Sequence, residues 1–258
     1  MFNIPDGRQT IIYMREFHRR MDALERVFTK DVSKIYKRQF SLAANMVEQG
    51  MTRDAEDAVD RTTGILKDSF RVNYRRIATV FSEWTLSEFA KVEAVKAIKT
   101  PKDEFWIGFE HFIETEVALK ITQINNSQKM LIRELVRKGL KENLSHKDIA
   151  KEIRTKSEVV IKYKAKRIAR TETHGVAVHS VQNQVSATGR YKYKQWSHSN
   201  DERVRSKRFD HRVTEIVKID EDYQATGGSL AYPGDPGGAA GNVINCRCVE
   251  KYLKSNGE

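Results

Sequence analysis

The stretch RIARTETHGVAVHSVQNQVSATGRYKYKQW, Arg167–Trp196, contains the change of pattern that decides the fold. Up to Gly189 the residues are spaced for a helix; beyond it, YKYKQW alternates, with its aromatic residues at strand spacing. Working backwards, residues 8–188 read as helix almost throughout, interrupted by a single proline, Pro101. Working forwards, VTEIVKI reads as a second strand and Ile244 to Leu253 as a last one, with a stretch rich in glycine and proline between them. The expected fold is therefore mainly α with a small C-terminal α+β module. A helical N-terminal region spans 1–155. A second domain, 156–258, comprises a basic helix, 157–188, and a compact Gly-rich, sheet-containing module, 189–258.

The helical part carries its own punctuation. Ile12, Phe17, Met21, Leu24 and Phe28 form an apolar stripe, and Phe70, Tyr74, Phe81, Trp84 and Phe89 form an aromatic one. Gly50 marks a break. A second break is expected at Thr100-Pro101, with Thr100 as cap, Pro101 in the first turn, and Asp103 and Glu104 at the positive end of the next helix. That helix is expected over Phe105–Gly139. Ser145, with Asp148 three residues on, predicts an N-cap for a short helix whose Ile149 and Ile153 share a face. No recognition helix rich in Arg, Asn and Gln follows it, which argues against a DNA-reading helix-turn-helix.

Composition narrows the function classes. The 258 residues are 39% hydrophobic and 31% charged, mean hydropathy is −0.62, and the net charge is +11. Such a chain buries a modest core and invites a polyanionic partner, either nucleic acid or an acidic protein surface. The N-terminus lacks the apolar run of a secretory signal, and no stretch of about 18 apolar residues spans a bilayer. Two cysteines do not make a disulfide scaffold, so synthesis in a reducing cytoplasm and no membrane partner are expected. Lys151–Arg170 carries eight Lys/Arg against two acids. If a helix begins at Ser157, Lys162, Lys166 and Arg170 fall on one side as candidate phosphate contacts; the alternative is a solvated charged face.

Cys246 and Cys248 close the sequence NVINCRC. In a strand they would point to one face, and with two further donors from His198, His211, Asp210 and Asp235 they would hold zinc. The larger share goes to small apolar cysteines packed where the last strand enters the core; a disulfide between them would close a strained ring. Arg205 and His211, with Glu172, are the residues that a phosphodiester-cleaving site would use. Glu172, Gly175 and His179 on the helix before Gly189, together with Trp196, read instead as a structural junction, with Gly175 allowing another backbone to approach and the polar groups hydrogen-bonded. PGDPGG lacks the lysine and the following helix of a phosphate-binding loop.

Taken in order, Ala169–Glu172, Trp196, the DERVR turn, Pro233-Gly234-Asp235-Pro236 and Asn245–Cys248 resemble the phage Mu F-like head morphogenesis family over about 165–250. The resemblance implies a minor head protein of a tailed phage, made in the host bacterial cytoplasm and incorporated in the head interior or portal region. The implied partners are the portal protein, the major capsid or scaffold protein, and DNA through a basic face; no enzyme activity and no cofactor are implied. The runner-up is a nuclease or nucleotide-modifying, toxin-like enzyme in the C-terminal module. One position departs from the family pattern. The histidine expected three residues after the second arginine of the turn is Arg208 here, and the nearest histidine is His211. A role for that histidine is thus either shifted to His211 or lost.

Overall fold

Apolar stripes at helical spacing bury one side of four long helices, and the computed structural model shows them as α1 (Gly7–Glu48), α3 (Thr63–Val92), α4 (Lys102–Lys141) and α6 (Lys166–Thr188). Two shorter helices, α2 (Asp57–Asp60) and α5 (His146–Val160), complete the helical part. The structure describes residues 7–92, 102–198, 202, 204, 205 and 209–254. Thr100 and Pro101 lie outside them, as do the side chains of Ile12, Asp103 and Glu104. The fold is mainly α with a small antiparallel C-terminal sheet region, as the change of pattern at Gly189 implies.

The chain forms two compact units whose segments interleave in sequence. One comprises Met1–Glu25, Tyr74–Phe112 and Arg170–Glu258; the other comprises Arg26–Asn73 and Ile113–Ala169. In the second unit, Phe28, Phe40, Leu66 and Phe70 are fully buried, with the Phe28 and Phe70 rings edge to face at 4.9 Å. Gly50 adopts φ +84°, a left-handed conformation that ends the run of α1. Ser145 is extended at ψ 154°, and its side chain accepts from the Asp148 N–H at 3.2 Å, satisfying one orphan donor at the start of α5.

Ser157 does not start a helix. It lies inside α5, buried, its hydroxyl donating to the Arg154 carbonyl at 2.5 Å. That internal bond satisfies a serine that would otherwise act as a cap. α5 then passes through a π turn, Ile161–Ala165, into α6. The wider turn rotates the faces that follow relative to a plain 3.6-residue spacing.

In the first unit, α6 ends at Thr188, and Gly189, at φ +62°, turns the chain into β1 (Tyr193–Ser197). β1 is central in a three-stranded antiparallel sheet, between β2 (Ile216–Lys218) and β5 (Val249–Leu253). A separate hairpin, β3 (Tyr223–Ala225) and β4 (Gly228–Leu230), turns at Gly227 and Gly228, both with positive φ. A four-residue helix, α7 (Ala240–Val243), precedes β5. The last strand is shorter than expected: it begins at Val249, because Asn245 at φ +56° breaks the extended run that would start at Ile244. Cys246 and Cys248 therefore lie in the turn leading to β5 rather than on a strand.

Replacing Ser145 by Ala should remove about 1 kcal/mol of stability through the lost cap. Urea denaturation would read this as a lower midpoint with unchanged slope; an unchanged midpoint would show that the cap contributes nothing.

Candidate functional site

The C-terminal module is seated on one face of α6. Thr171, His174, Gly175 and Gln182 follow one another at intervals of three, one and seven residues, the spacing of a single helical stripe. The Thr171 hydroxyl accepts from the Asn245 N–H at 3.3 Å, and the buried His174 donates from Nε2 to the Cys248 carbonyl at 2.8 Å. Gln182 donates to the carbonyls of Ile219 and Ala231 at 3.3 and 3.4 Å. At Gly175 the backbone of the module comes close: a Cβ there would stand 2.9 Å from the Gly234 carbonyl oxygen. Gly234 in turn, at φ +85°, leaves no room for a Cβ beside His174. His18, near the start of α1, adds a bond from Nε2 to the Arg247 carbonyl at 3.1 Å. The turn carrying the two cysteines is thus held through its own backbone carbonyls.

The Pro233–Gly241 loop is ordered by Asp235, which accepts the N–H groups of Ala231 and Gly237, each at 2.8 Å. Both carboxylate oxygens are used inside the loop, so Asp235 serves as a brace and not as a ligand.

Over this frame, His211, Cys246 and Cys248 converge. All three are buried, and His211 Nδ1 lies 3.7 Å from Cys246 Sγ and 3.6 Å from Cys248 Sγ. The three ligand atoms fall within 4.8 Å of one another. On the other side of the ring, Nε2 is 3.2 Å from the Asn242 Oδ1. The Asn242 amide nitrogen points to the Thr226 carbonyl, which leaves its oxygen for His211. Nε2 is therefore the protonated nitrogen, and the Nδ1 lone pair faces the thiols. Trp196 meets the imidazole edge to face at 5.3 Å and, with Tyr223 and Leu230, packs the cysteines into a small core. A hydrogen bond to Cys246, with burial, pushes the Cys248 thiol well above its usual range. Burial also raises Cys246, but Cys248, His174 and His211 outweigh it and hold that thiol well below.

His211 and Cys248 also help line a cavity of about 260 Å³, together with Asn245 and three arginines, Arg170, Arg205 and Arg247. Arg205 donates to the carbonyls of Asn242 and Ile244, which fixes the loop before the cysteines. Arg170 is bound to the buried Glu25 by two bonds of 3.2 Å.

The residues singled out in sequence are distributed as follows. Arg205 and His211 share the cavity, whereas Glu172 is bound by the Tyr74 hydroxyl at 2.5 Å and does not line it. Asp210 is held down to about 2 by Arg212, with which it pairs at 2.5 Å. Neither it nor His198 nor Asp235 joins the His211–cysteine group. Lys162 and Lys166 are exposed; Arg170 is half-buried and paired. Asp201, Arg203 and Arg208 lie outside the described residues. His179 stacks on Phe112 with centroids 4.1 Å apart and lies 5.3 Å from the Tyr232 ring. It packs rather than bonding, and burial lowers its pKa to about 4.

Two buried charges of the sheet escaped the sequence reading. Lys194, on the inner face of β1 beside Trp196, donates to the Ala231 carbonyl at 2.6 Å and lies 5.0 Å from the Tyr223 ring. Glu250 of β5 accepts from the Tyr252 hydroxyl at 2.5 Å. Burial lowers the first group and raises the second. The signal was the alternation in YKYKQW, which places Lys194 and Trp196 on the same face.

Residues 130–250 match the family described as Phage Mu protein F like protein. No curated protein and no solved structure matches the chain significantly.

The shift of His179 from its usual 6.5 to about 4 makes stability depend on pH. Between those values the unfolded chain binds a proton that the folded chain refuses. Stability is therefore full above pH 6.5, falls as pH drops, and levels off below about pH 4, a loss of about 3 kcal/mol. Denaturation midpoints at pH 7 and pH 5 should diverge for the native chain and diverge less for His179→Phe; equal divergence would rule out this source.

Proposed function

With residues 130–250 belonging to the phage Mu protein F-like family, we propose that the chain is a minor head protein of a tailed phage that docks on the portal or capsid protein during head assembly. The family is one of phage head morphogenesis proteins, generally structural rather than enzymatic, and is virion-associated. The match over 130–250 carries the reading. No helix among the described residues is long and apolar enough to cross a membrane.

In the assembled head the same segment would contact packaged DNA. Lys162 and Lys166, inside the matched region and exposed, are the candidate phosphate contacts. Arg170 is the weaker candidate, since Glu25 already holds its guanidinium. A net charge of +11 supports a polyanionic partner.

The nuclease reading has less support. It would need His211 as acid or base, and both ring nitrogens are committed, one to Asn242 and the other toward the two sulfurs. Glu172 is engaged elsewhere.

Two experiments test the proposal. Tagged chain expressed in phage-infected cells should co-purify with the portal protein; recovery of the tagged chain with neither portal nor capsid protein attached would overturn the docking. For DNA, log affinity against log salt should fall with a slope of several units, and Lys162→Ala with Lys166→Ala should reduce that slope by about 2. A flat response would sink the DNA contact while leaving the docking intact.

A further inference from the structure

We propose that His211 Nδ1, Cys246 Sγ and Cys248 Sγ bind a zinc ion that pins the loop between β1 and β2 to the turn before β5. The inference stands on geometry and is independent of any role in the phage head.

The distances fit an ion. With Zn–S near 2.3 Å and Zn–N near 2.05 Å, a tetrahedral site places sulfur and nitrogen about 3.6 Å apart. The two S···N separations are 3.7 and 3.6 Å. The two sulfurs lie within 4.8 Å of each other, against about 3.8 Å in such a site, so one ion can touch all three atoms once the sulfurs close by at most about 1 Å. The donor set also suits zinc, since soft thiolates with an imidazole are its usual ligands and disfavour magnesium or calcium.

The surroundings have the form of a second shell. Asn242, fully buried, fixes the tautomer by accepting from Nε2 and so turns the lone pair of Nδ1 toward the sulfurs. The His211 N–H donates to the Arg205 carbonyl at 3.0 Å, and the Cys246 N–H to the Val243 carbonyl at 3.1 Å, which holds both ligand-bearing turns. His174 and His18 hold the carbonyls of Cys248 and Arg247. On binding, each thiol loses its proton to solvent, and two thiolates neutralise the dication, so the buried site carries no net charge.

The described residues bring no fourth imidazole, thiol or carboxylate into the group. The adjoining cavity, which His211 and Cys248 line, has room for a water or small anion there, and Arg170, Arg205 and Arg247 favour a negative one. The site also has a structural reason to exist. The core around Trp196, Tyr223 and Leu230 is small, and modules of this size commonly need a metal or disulfide staple.

The test uses the full chain. Purified after growth with zinc and passed over a sizing column, it should carry one zinc per chain by mass spectrometry. Cobalt(II) added to metal-free chain should give a thiolate-to-cobalt charge-transfer band and the intense visible bands of a tetrahedral site. Cys248→Ser should lose about half of the charge-transfer intensity, since Cys246 remains as a thiolate ligand, and His211→Ala should retain the charge transfer but bind at least tenfold more weakly. Asn242→Ala, which removes only the positioning bond, should weaken zinc by 10- to 100-fold at unchanged stoichiometry and spectrum. Should the variants fail to fold, the cobalt spectrum of the native chain alone decides the matter. Less than about half an equivalent of zinc, with no charge-transfer band on cobalt addition, would overturn the proposal and leave thiol–imidazole hydrogen bonding as the role of the three groups.

Discussion

The bond from His174 to the Cys248 carbonyl, with the glycine-to-glycine approach beside it, governs how the C-terminal module is placed. A helix offers few ways to hold a loop by its main chain. Here a buried imidazole reaches one carbonyl, and a residue without a side chain lets another carbonyl sit against the helix. Because both attachments engage backbone, the side chains of Cys246 and Cys248 stay free to turn inward toward His211. Had the helix been held by the cysteine side chains, that convergence would not exist.

Polar groups are costly to bury, and their arrangement shows how this module limits that cost. Lys194 finds a carbonyl and an aromatic face, Glu250 a phenol, and Asn242 satisfies His211 while reaching the Thr226 carbonyl. Lys194 and Asn242 reach carbonyls of other segments, whereas Glu250 uses its own strand. A sheet of three short strands thus keeps its inner face packed although it is far from purely apolar.

Much of the fold was legible because its signals are local. Gly189 announces the end of α6, since a left-handed residue there is cheapest as glycine, and Ser145 announces α5 through a cap spanning three residues. Gly175 could be read as a close approach, although not of which backbone. Ser157 misled because a buried serine can satisfy itself on the Arg154 carbonyl, a choice that sequence does not reveal. The strand expected from Ile244 failed on one residue, Asn245, whose left-handed turn is an option for asparagine and not a requirement. The Gly227–Gly228 hairpin carried a usable signal in its paired glycines. The His211–cysteine group could only be guessed at. Its members are 35 and 37 residues apart, and nothing local selects His211 over His198 or Asp210 as the partner of the thiols.

The interleaving of the two compact units bears on how the family-matching segment could be handled. Residues 130–250 contain all of α6 and, of the three-stranded sheet, β1, β2 and the start of β5, yet the partners of α6 come from earlier in the chain: Phe17 beside His174, Phe109 and Phe112 against His179, and Phe105, whose carbonyl accepts from Asn183. Beyond the helix, Phe89 stacks on Tyr191 in the same way. Cut out as a fragment, the segment would keep its sequence signature and lose the floor on which it rests. The recognisable part of this protein is therefore not a transplantable one, and a graft would have to carry pieces of α1, α3 and α4 with it.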